Sequence, residues 1–265
     1  MHPFVNIAIR AVRSAARVIL RYYGRTDILN INQKSRNDFV TEVDRQAEQI
    51  IIHELHGKFP DHGILAEESG QQSGDEFVWI IDPLDGTTNY IHGVPQFAIS
   101  IALQYRGRLE HGVIYDPLRE ELFTASRGDG ALLNNRRLHV SHRPSLEGAL
   151  LGTGFPFRDQ RFVKAYLGMF EALLKDTSGI RRPGSAALDL AYIAAGRTDG
   201  FWELGLSPWD FAAGVVLIRE AGGVVTDLAG DQNFFHTGNL VAGGFKVHDA
   251  ILQAIKPHLS VDLPA

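Results

Sequence analysis

Asp82 and Asp85 stand three residues apart in Asp82-Pro83-Leu84-Asp85-Gly86-Thr87-Thr88-Asn89-Tyr90, directly after the apolar run Phe77-Val78-Trp79-Ile80-Ile81. The run reads as a buried strand. Pro83, which fixes φ and lacks an N–H, and Gly86, which admits positive φ, read as a tight turn at its end. Carboxylates gathered at the carboxyl end of a strand repel one another unless a divalent cation joins them, so the segment points to a metal-dependent enzyme. Asp-Pro and Asp-Gly also build ordinary turns, with the Asp side chain bonding its own backbone. What separates the two readings is whether further carboxylates converge on the same place.

Three other segments supply them. Glu67, in Glu67-Glu68-Ser69, follows a short strand ending at Ala66, a position where open sheets carry their sites and also where acidic loops are common. Asp210 follows Pro208-Trp209 in the first turn of a helix, and Asp44 sits in the first turn of another, after Val40-Thr41-Glu42-Val43. An acid there meets the helix dipole favourably, whether or not it also binds a ligand. The candidate shell is therefore Glu67, Asp82, Asp85 and Asp210, with the backbone carbonyl of Leu84 between the two turn aspartates. All of these donors are oxygen. The chain has no cysteine, and its 11 histidines are scattered without a pair at ligand spacing. Such a site suits Mg²⁺ or Mn²⁺ rather than zinc. Mg²⁺ held by several carboxylates with an open face is equipment for phosphoryl transfer to water. A glycine-rich P-loop and an EF-hand spacing are both missing from the sequence.

The elements that must position these residues follow from periodicity. Apolar residues from Phe4 to Tyr22 recur at three and four, interrupted by Arg10, Arg13, Arg17 and Arg21, which predicts an amphipathic helix rather than a targeting or membrane-spanning segment. A second helix is expected from Thr41 to Gly57, then strands at 62–66 and 77–81 separated by a polar loop at 69–76. Strands at 97–106, 109–116 and 121–125 should form an antiparallel meander. The looser stretch 126–147 is the place for a boundary between lobes of about 1–140 and 141–265 in one domain. Beyond it we expect strands at 148–151, 199–204, 224–227 and 239–242. Helices are expected at 159–175, 185–195, 208–221, capped by Ser207, and 246–258. The fold class is α+β with two sheets.

Bulk composition limits the function classes. The 265 residues are 45% hydrophobic and 22% charged, which is globular, and the net charge of −5 lacks the basic footprint of a nucleic-acid binder. Absence of cysteine fits a reducing cytoplasm.

Taken together, these pieces resemble the inositol monophosphatases, Mg²⁺-dependent and lithium-sensitive sugar-phosphate phosphatases, over essentially the whole chain and most closely a bacterial branch of the family. The matching pieces are Asn37-Asp38-Phe39-Val40-Thr41 leading to Asp44, Glu67-Glu68-Ser69, Trp79 to Asn89, Gly184-Ser185-Ala186-Ala187-Leu188-Asp189, and Trp209-Asp210 followed by Glu220-Ala221-Gly222-Gly223. Each is weak alone; the five in this order are specific. Ala66 stands where many relatives have glycine, and Ser185 where animal relatives have threonine; neither change removes a ligand.

The resemblance implies a layered αβαβα fold and two or three Mg²⁺ ions per site. Glu67, Asp82 and the Leu84 carbonyl would hold one ion and Asp82, Asp85 and Asp210 a second, with a third near Glu67. Thr87, bonded to Asp44, would orient the attacking water, so that Thr87, Asp44 and Glu67 carry catalysis. The amides of Gly86 and Thr87 would meet phosphate oxygens, and Asp85, Gly184, Ser185, Ala186, Glu203 and Asp210 would contact the alcohol. The implied substrate is myo-inositol 1-phosphate, with fructose 1,6-bisphosphate or 3′-phosphoadenosine nucleotides as alternatives. A homodimer is implied too. So is a non-catalytic role with transcription antitermination factors or RNA polymerase in ribosomal RNA synthesis, for which Arg181 and Arg182 would offer a surface.

Overall fold

The computed structural model describes residues 2–25, 31–35, 38–156, 159–259 and 263. Asn37 of the Asn37–Thr41 motif lies outside the described residues. The chain opens with α1 (Pro3–Tyr22), a hairpin of β1 (Ile31–Ser35) and β2 (Asp38–Thr41), and α2 (Glu42–His56). A first sheet follows, made of β3 (Gly63–Ala66), β4 (Gly70–Gln72), β5 (Phe77–Asp85), β6 (Ala98–Tyr105), β7 (Arg108–Asp116), β8 (Glu121–Ser126), β9 (Gly130–Leu133) and β10 (Arg136–Arg137). Its order is β10-β9-β8-β7-β6-β5-β3-β4, antiparallel except where β3 runs beside β5. The short α3 (Thr87–Ile91) springs from the end of β5.

A second sheet, ordered β12-β11-β13-β15-β14, is built from β11 (Leu150–Thr153), β12 (Gly179–Arg181), β13 (Gly200–Glu203), β14 (Val224–Thr226) and β15 (Leu240–Gly243). With it come α4 (Val163–Leu174), α5 (Ala186–Ala194), α6 (Pro208–Glu220), α7 (Phe234–Thr237) and α8 (Phe245–Ile255).

Three apolar cores explain the layering. On β5, Trp79 and Ile81 join the core under α1 and α2, while Ile80 between them faces α5 and α6, as the two-residue period of a strand requires. α5 and α6 are apolar on nearly all sides because both sheets cover them: Leu190 and Phe211 share one core with Phe123 of the first sheet and Phe201 of the second. Tyr166 and Met169 of α4 and Val247 and Ile251 of α8 close the far face of the second sheet over Trp202. The result is the expected αβαβα sandwich, an α+β fold.

The face of the first sheet beneath α6 carries small side chains, Ala98 and Ala102 among them. At Gly112 a Cβ would sit 2.6 Å from the Ala213 carbonyl, so the helix lies close upon the strands. That approach carries Asp210, in the first turn of α6, toward β5.

Several expected boundaries move. β5 does not stop at Ile81 in a turn but continues to Asp85 through an irregularity. The polar loop 69–76 contains β4, which pairs with β3 as a short edge, and the looser stretch 126–147 contains β9 and β10. Their residues are polar or glycine-flanked because edges and turns need no apolar alternation. α4 starts at Val163 after a single 3₁₀ turn at Gln160–Phe162, because the Asp159 carboxylate caps that turn through the Arg161 N–H. β11 starts at Leu150, not at residue 148, because Gly148 takes φ +68°.

Candidate active site

Residues three apart on a regular strand face opposite sides of its sheet. Asp82 pairs with Ser100 and Asp85 with Ala98, three steps on β5 against two on β6. One extra residue is therefore accommodated, and Pro83, lacking an N–H, sits in the interruption. The bulge returns Asp85 to the side occupied by Asp82. One oxygen from each of Asp82, Asp85 and Asp210 then falls within 4.8 Å of the others.

Each acid is held by a local motif. Asp82, 1% exposed, accepts the Leu84 N–H at 3.0 Å. Asp85 reaches across to the second half of the molecule, where its Oδ2 accepts the Ser185 hydroxyl at 2.5 Å and the Ala187 N–H at 2.8 Å, so it caps α5. Asp210 accepts the Ser207 N–H at 2.7 Å, the return arm of a capping box. Asp44 makes the same arm in α2, taking the Thr41 N–H at 2.8 Å and the Thr41 hydroxyl at 2.5 Å on Oδ2. Its Oδ1 accepts the Thr87 hydroxyl at 2.9 Å, and the Leu84 carbonyl lies 3.0 Å from that same hydroxyl.

Gly86 makes this turn possible. Its φ is +91°, and a Cβ there would lie 2.8 Å from the Gln96 carbonyl. Asn89 then ties the turn to the second half, its amide donating toward the carbonyls of Gln96 and Pro183 at 2.8 Å each. Glu67 is placed by α2: Glu48, 2% exposed and one turn beyond Asp44, accepts the Glu68 N–H on Oε2 and the Ser69 N–H on Oε1, both at 2.8 Å.

The electrostatics are those of an anionic pocket. Burial, then the charges of Glu67, Asp85 and Asp210, pushes the Asp82 carboxyl well above the usual range. Burial raises Asp85 to about 6 against its bonds from Ser185 and Ala187. Burial likewise raises Asp44, against its bonds from Thr41 and Thr87.

These residues line a cleft of about 500 Å³ between the two sheets. Glu67, Asp82, Leu84, Asp85, Gly86, Thr87, Gly184, Ser185, Ala186, Glu203 and Asp210 all border it, so the segments singled out in the sequence meet in one place. Asp44 stands behind it, in contact through Thr87. Ser185 is fully buried and its hydroxyl is committed to Asp85, which makes it a holder of that carboxylate. Arg182 turns out to border the cleft, its guanidinium 5.1 Å over the Phe155 ring. Sequence reasoning gave no site role to Glu48, Asn89, Phe155 or Asp189. For Glu48 the spacing of four from Asp44 was a usable signal, since it puts both on one helix face.

Comparison with known proteins agrees with this geometry. The model of the inositol monophosphatase family matches residues 1–260. The chain belongs to the inositol monophosphatase family. The chain is accordingly a phosphatase of this family. A relative from Pseudomonas aeruginosa, named Nus factor SuhB, is 56% identical, with 99% of each chain covered. The Nus factor SuhB of Escherichia coli K12 is 50% identical, with 98% of each covered. Among solved structures, the extragenic suppressor protein suhB of Bartonella henselae superposes with a TM-score of 0.93 at 45% identity, covering 96% of this chain and 99% of that one. The inositol monophosphatase of Anabaena gives 0.86 at 41% identity, covering 96% and 95%. No helix among the described residues is long and apolar enough to cross a membrane.

Proposed function

We propose that this protein is a Mg²⁺-dependent phosphomonoesterase that hydrolyses myo-inositol 1-phosphate and related polyol phosphates. The observation that carries the reading is the convergence of Asp82, Asp85 and Asp210 in the cleft that also holds the Thr87–Asp44 pair. A hard divalent cation fits this donor set, because it is all oxygen and the buried carboxylates raise one another when nothing offsets their charge. Asp82, Asp85 and Asp210 would hold one ion, and Glu67, Asp82 and the Leu84 carbonyl another, for two or three in all. Bound there, Mg²⁺ would neutralise phosphate charge and acidify water.

The chain's own residues do the rest. The Thr87 proton is directed at Asp44 Oδ1 and the Leu84 carbonyl, which leaves the hydroxyl oxygen an acceptor toward the cleft. A water there gives its proton to Thr87 Oγ1 as Thr87 passes its own to Asp44 Oδ1. Burial has raised the Asp44 carboxyl and so fits it to receive a proton. The amides of Gly86 and Thr87 meet phosphate oxygens, and Asp85, Gly184, Ala186, Glu203 and Asp210 border the alcohol. The two lobes, about 1–140 and 141–265, contribute opposite walls, and the assembly is a homodimer.

The test is phosphate release from inositol 1-phosphate, fructose 1,6-bisphosphate and a 3′-phosphoadenosine nucleotide at defined Mg²⁺, with and without lithium. We expect inositol 1-phosphate to lead and turnover to collapse in Asp82→Asn and Asp85→Asn. Normal turnover in both variants would sink the site, and a dominant nucleotide would overturn the substrate.

The name Nus factor, borne by relatives 50–56% identical, favours a second, non-catalytic reading: this chain also binds transcription antitermination factors. Asp82→Asn protein should still retain such factors in a pull-down, since a scaffold needs no turnover; failure of the wild type to retain any would end this reading.

A further inference from the structure

α1 carries four arginines, Arg10, Arg13, Arg17 and Arg21, and no acidic residue. At 3.6 residues per turn these four fall within an arc of about 80° and along roughly 17 Å of helix. All are exposed, so they form one stripe on the outer face of the layer that α1 makes with α2. The opposite face of α1 is spent on the core, where Val5, Ala8, Val12, Ala15 and Ile19 lie buried with residues of α2 and the first sheet. No residue of α1 borders the cleft.

Little in the protein answers this charge. Glu54 of α2 accepts from Arg10 at 2.8 Å and from the Ser14 hydroxyl at 3.4 Å, and Arg17 bonds the same hydroxyl at 3.5 Å. No carboxylate among the described residues pairs with Arg13, Arg17 or Arg21. Setting the four arginines of α1 aside leaves 22 of the chain's 26 Lys and Arg against 31 Asp and Glu, so the stripe is a basic island on an acidic molecule. It holds arginine and no lysine, the choice found at interfaces, where Arg is enriched and Lys depleted. Leu20, 42% exposed, adjoins it three residues after Arg17.

We propose that the outer face of α1 docks a short, acidic, amphipathic helix of a protein partner. The proposal goes beyond the phosphatase reading and does not depend on it. Arginines three and four residues apart match carboxylates repeated at three and four on a facing helix. A guanidinium pairs with a carboxylate through two parallel hydrogen bonds, which a lysine cannot do. Leu20 meets the partner's apolar side chain at the rim. The length of the stripe limits the occupant: a long polyanion running past its ends would meet the excess of acid elsewhere on the molecule, whereas a segment of about three turns stays on the arginines. Insertion into a bilayer is not open to α1, whose apolar face is already in the core.

The experiment follows the fluorescence anisotropy of a labelled helical peptide with glutamate at every third or fourth position and leucine on the adjoining row. Its comparison ligands are the same composition scrambled, a single-stranded RNA of equal charge, and phosphatidylglycerol vesicles. Wild type should bind the patterned peptide severalfold more tightly than the scrambled one, and more weakly as salt rises. Binding should weaken by roughly tenfold or more in Arg13→Gln/Arg17→Gln/Arg21→Gln, at a factor of about 1.4 to 5 for each exposed pair. The reversed variant, Arg13→Glu/Arg17→Glu/Arg21→Glu, should instead take the lysine counterpart of the peptide. Leu20→Ser should weaken binding and leave its salt dependence as in wild type. Circular dichroism and melting temperature establish that each variant folds. No binding of the patterned peptide by wild type, equal binding of the scrambled one, or equal binding by wild type and the glutamine variant overturns the docking face. Tighter binding to the RNA or to the vesicles would assign the stripe to phosphate groups and overturn it as well.

Discussion

At the scale of single residues, the site is built from side chains that each satisfy two demands. Asp44 closes a helix cap with one oxygen and takes the Thr87 hydroxyl with the other. Asp210 caps α6 and also joins the acidic cluster. This double use made both legible in the sequence, because Thr41 with Asp44 and Ser207 with Asp210 mark helix starts on capping grounds alone. Asp189 was not legible in the same way: an acid in a first turn reads as dipole compensation, and only packing shows it buried at the wall of the cleft. Thr87 gives the sharpest residue-level expectation. Thr87→Ala should lower kcat by roughly 10²- to 10⁴-fold, the usual worth of a positioned proton carrier, while Mg²⁺ affinity measured by calorimetry stays near wild type. Thr87→Ser keeps the hydroxyl and should recover most of the loss. A serine variant as inactive as the alanine variant would remove Thr87 from the proton path.

At the scale of elements, α2 and β5 do most of the positioning. α2 presents Asp44 to Thr87 and, one turn on, Glu48 to the amides of Glu68 and Ser69, so one helix sets both the proton path and the Glu67 loop. β5 brings its two aspartates to one side only because of its bulge. The strand itself was readable from Phe77–Ile81, but its continuation was not. Pro83 signals an interruption equally well whether the chain turns or bulges, and the register with β6 is a tertiary fact. β4, β9, β10 and β12 escaped for a related reason, being segments of two to four residues at or next to a sheet edge that lack an apolar alternation. The Glu48 clamp carries an expectation of its own. Glu48→Gln replaces one charge-assisted acceptor with a donor facing an amide, so the Glu67 loop should loosen. Mg²⁺ affinity should drop roughly 10- to 100-fold, as for other residues that orient metal ligands, with a lower melting temperature. Calorimetric Mg²⁺ binding equal to wild type would show that Glu67 does not depend on the clamp.

At the scale of the whole molecule, the cleft is a seam between two sheets that share the α5–α6 core, bridged by Asp85 onto α5 and Asn89 onto the Pro183 carbonyl. The layered class was legible because helix and strand periods were strong; that the seam is acidic was legible only in part, since it depends on which acids the layers bring together. This placement couples stability to both metal and pH. Asp82 and Asp85 have folded pKa values above those of an unfolded chain, Asp85 at about 6. The neutral form of Asp85 therefore favours the folded state fully below about pH 4, and that contribution is lost as pH rises through about 6; Asp82 acts in the same direction. His111, stacked on His2 and lowered to about 4 by burial, works the other way. Its contribution is present above about 6.5 and is lost as pH falls toward 4. Metal-free protein should thus lose stability from the acidic seam between pH 5 and pH 8, and Mg²⁺ should restore it. At 100-fold over its Kd, Mg²⁺ adds about 2.7 kcal/mol by mass action, which for a chain of this size raises the melting temperature by roughly 5 to 10 °C. Calorimetric scans with EDTA and with Mg²⁺ should show a clearly larger increment at pH 8 than at pH 5, where protons already occupy part of the seam. An increment of equal size at both pH values would mean that the cation binds away from these carboxylates, because only a site sharing them makes protons and metal compete.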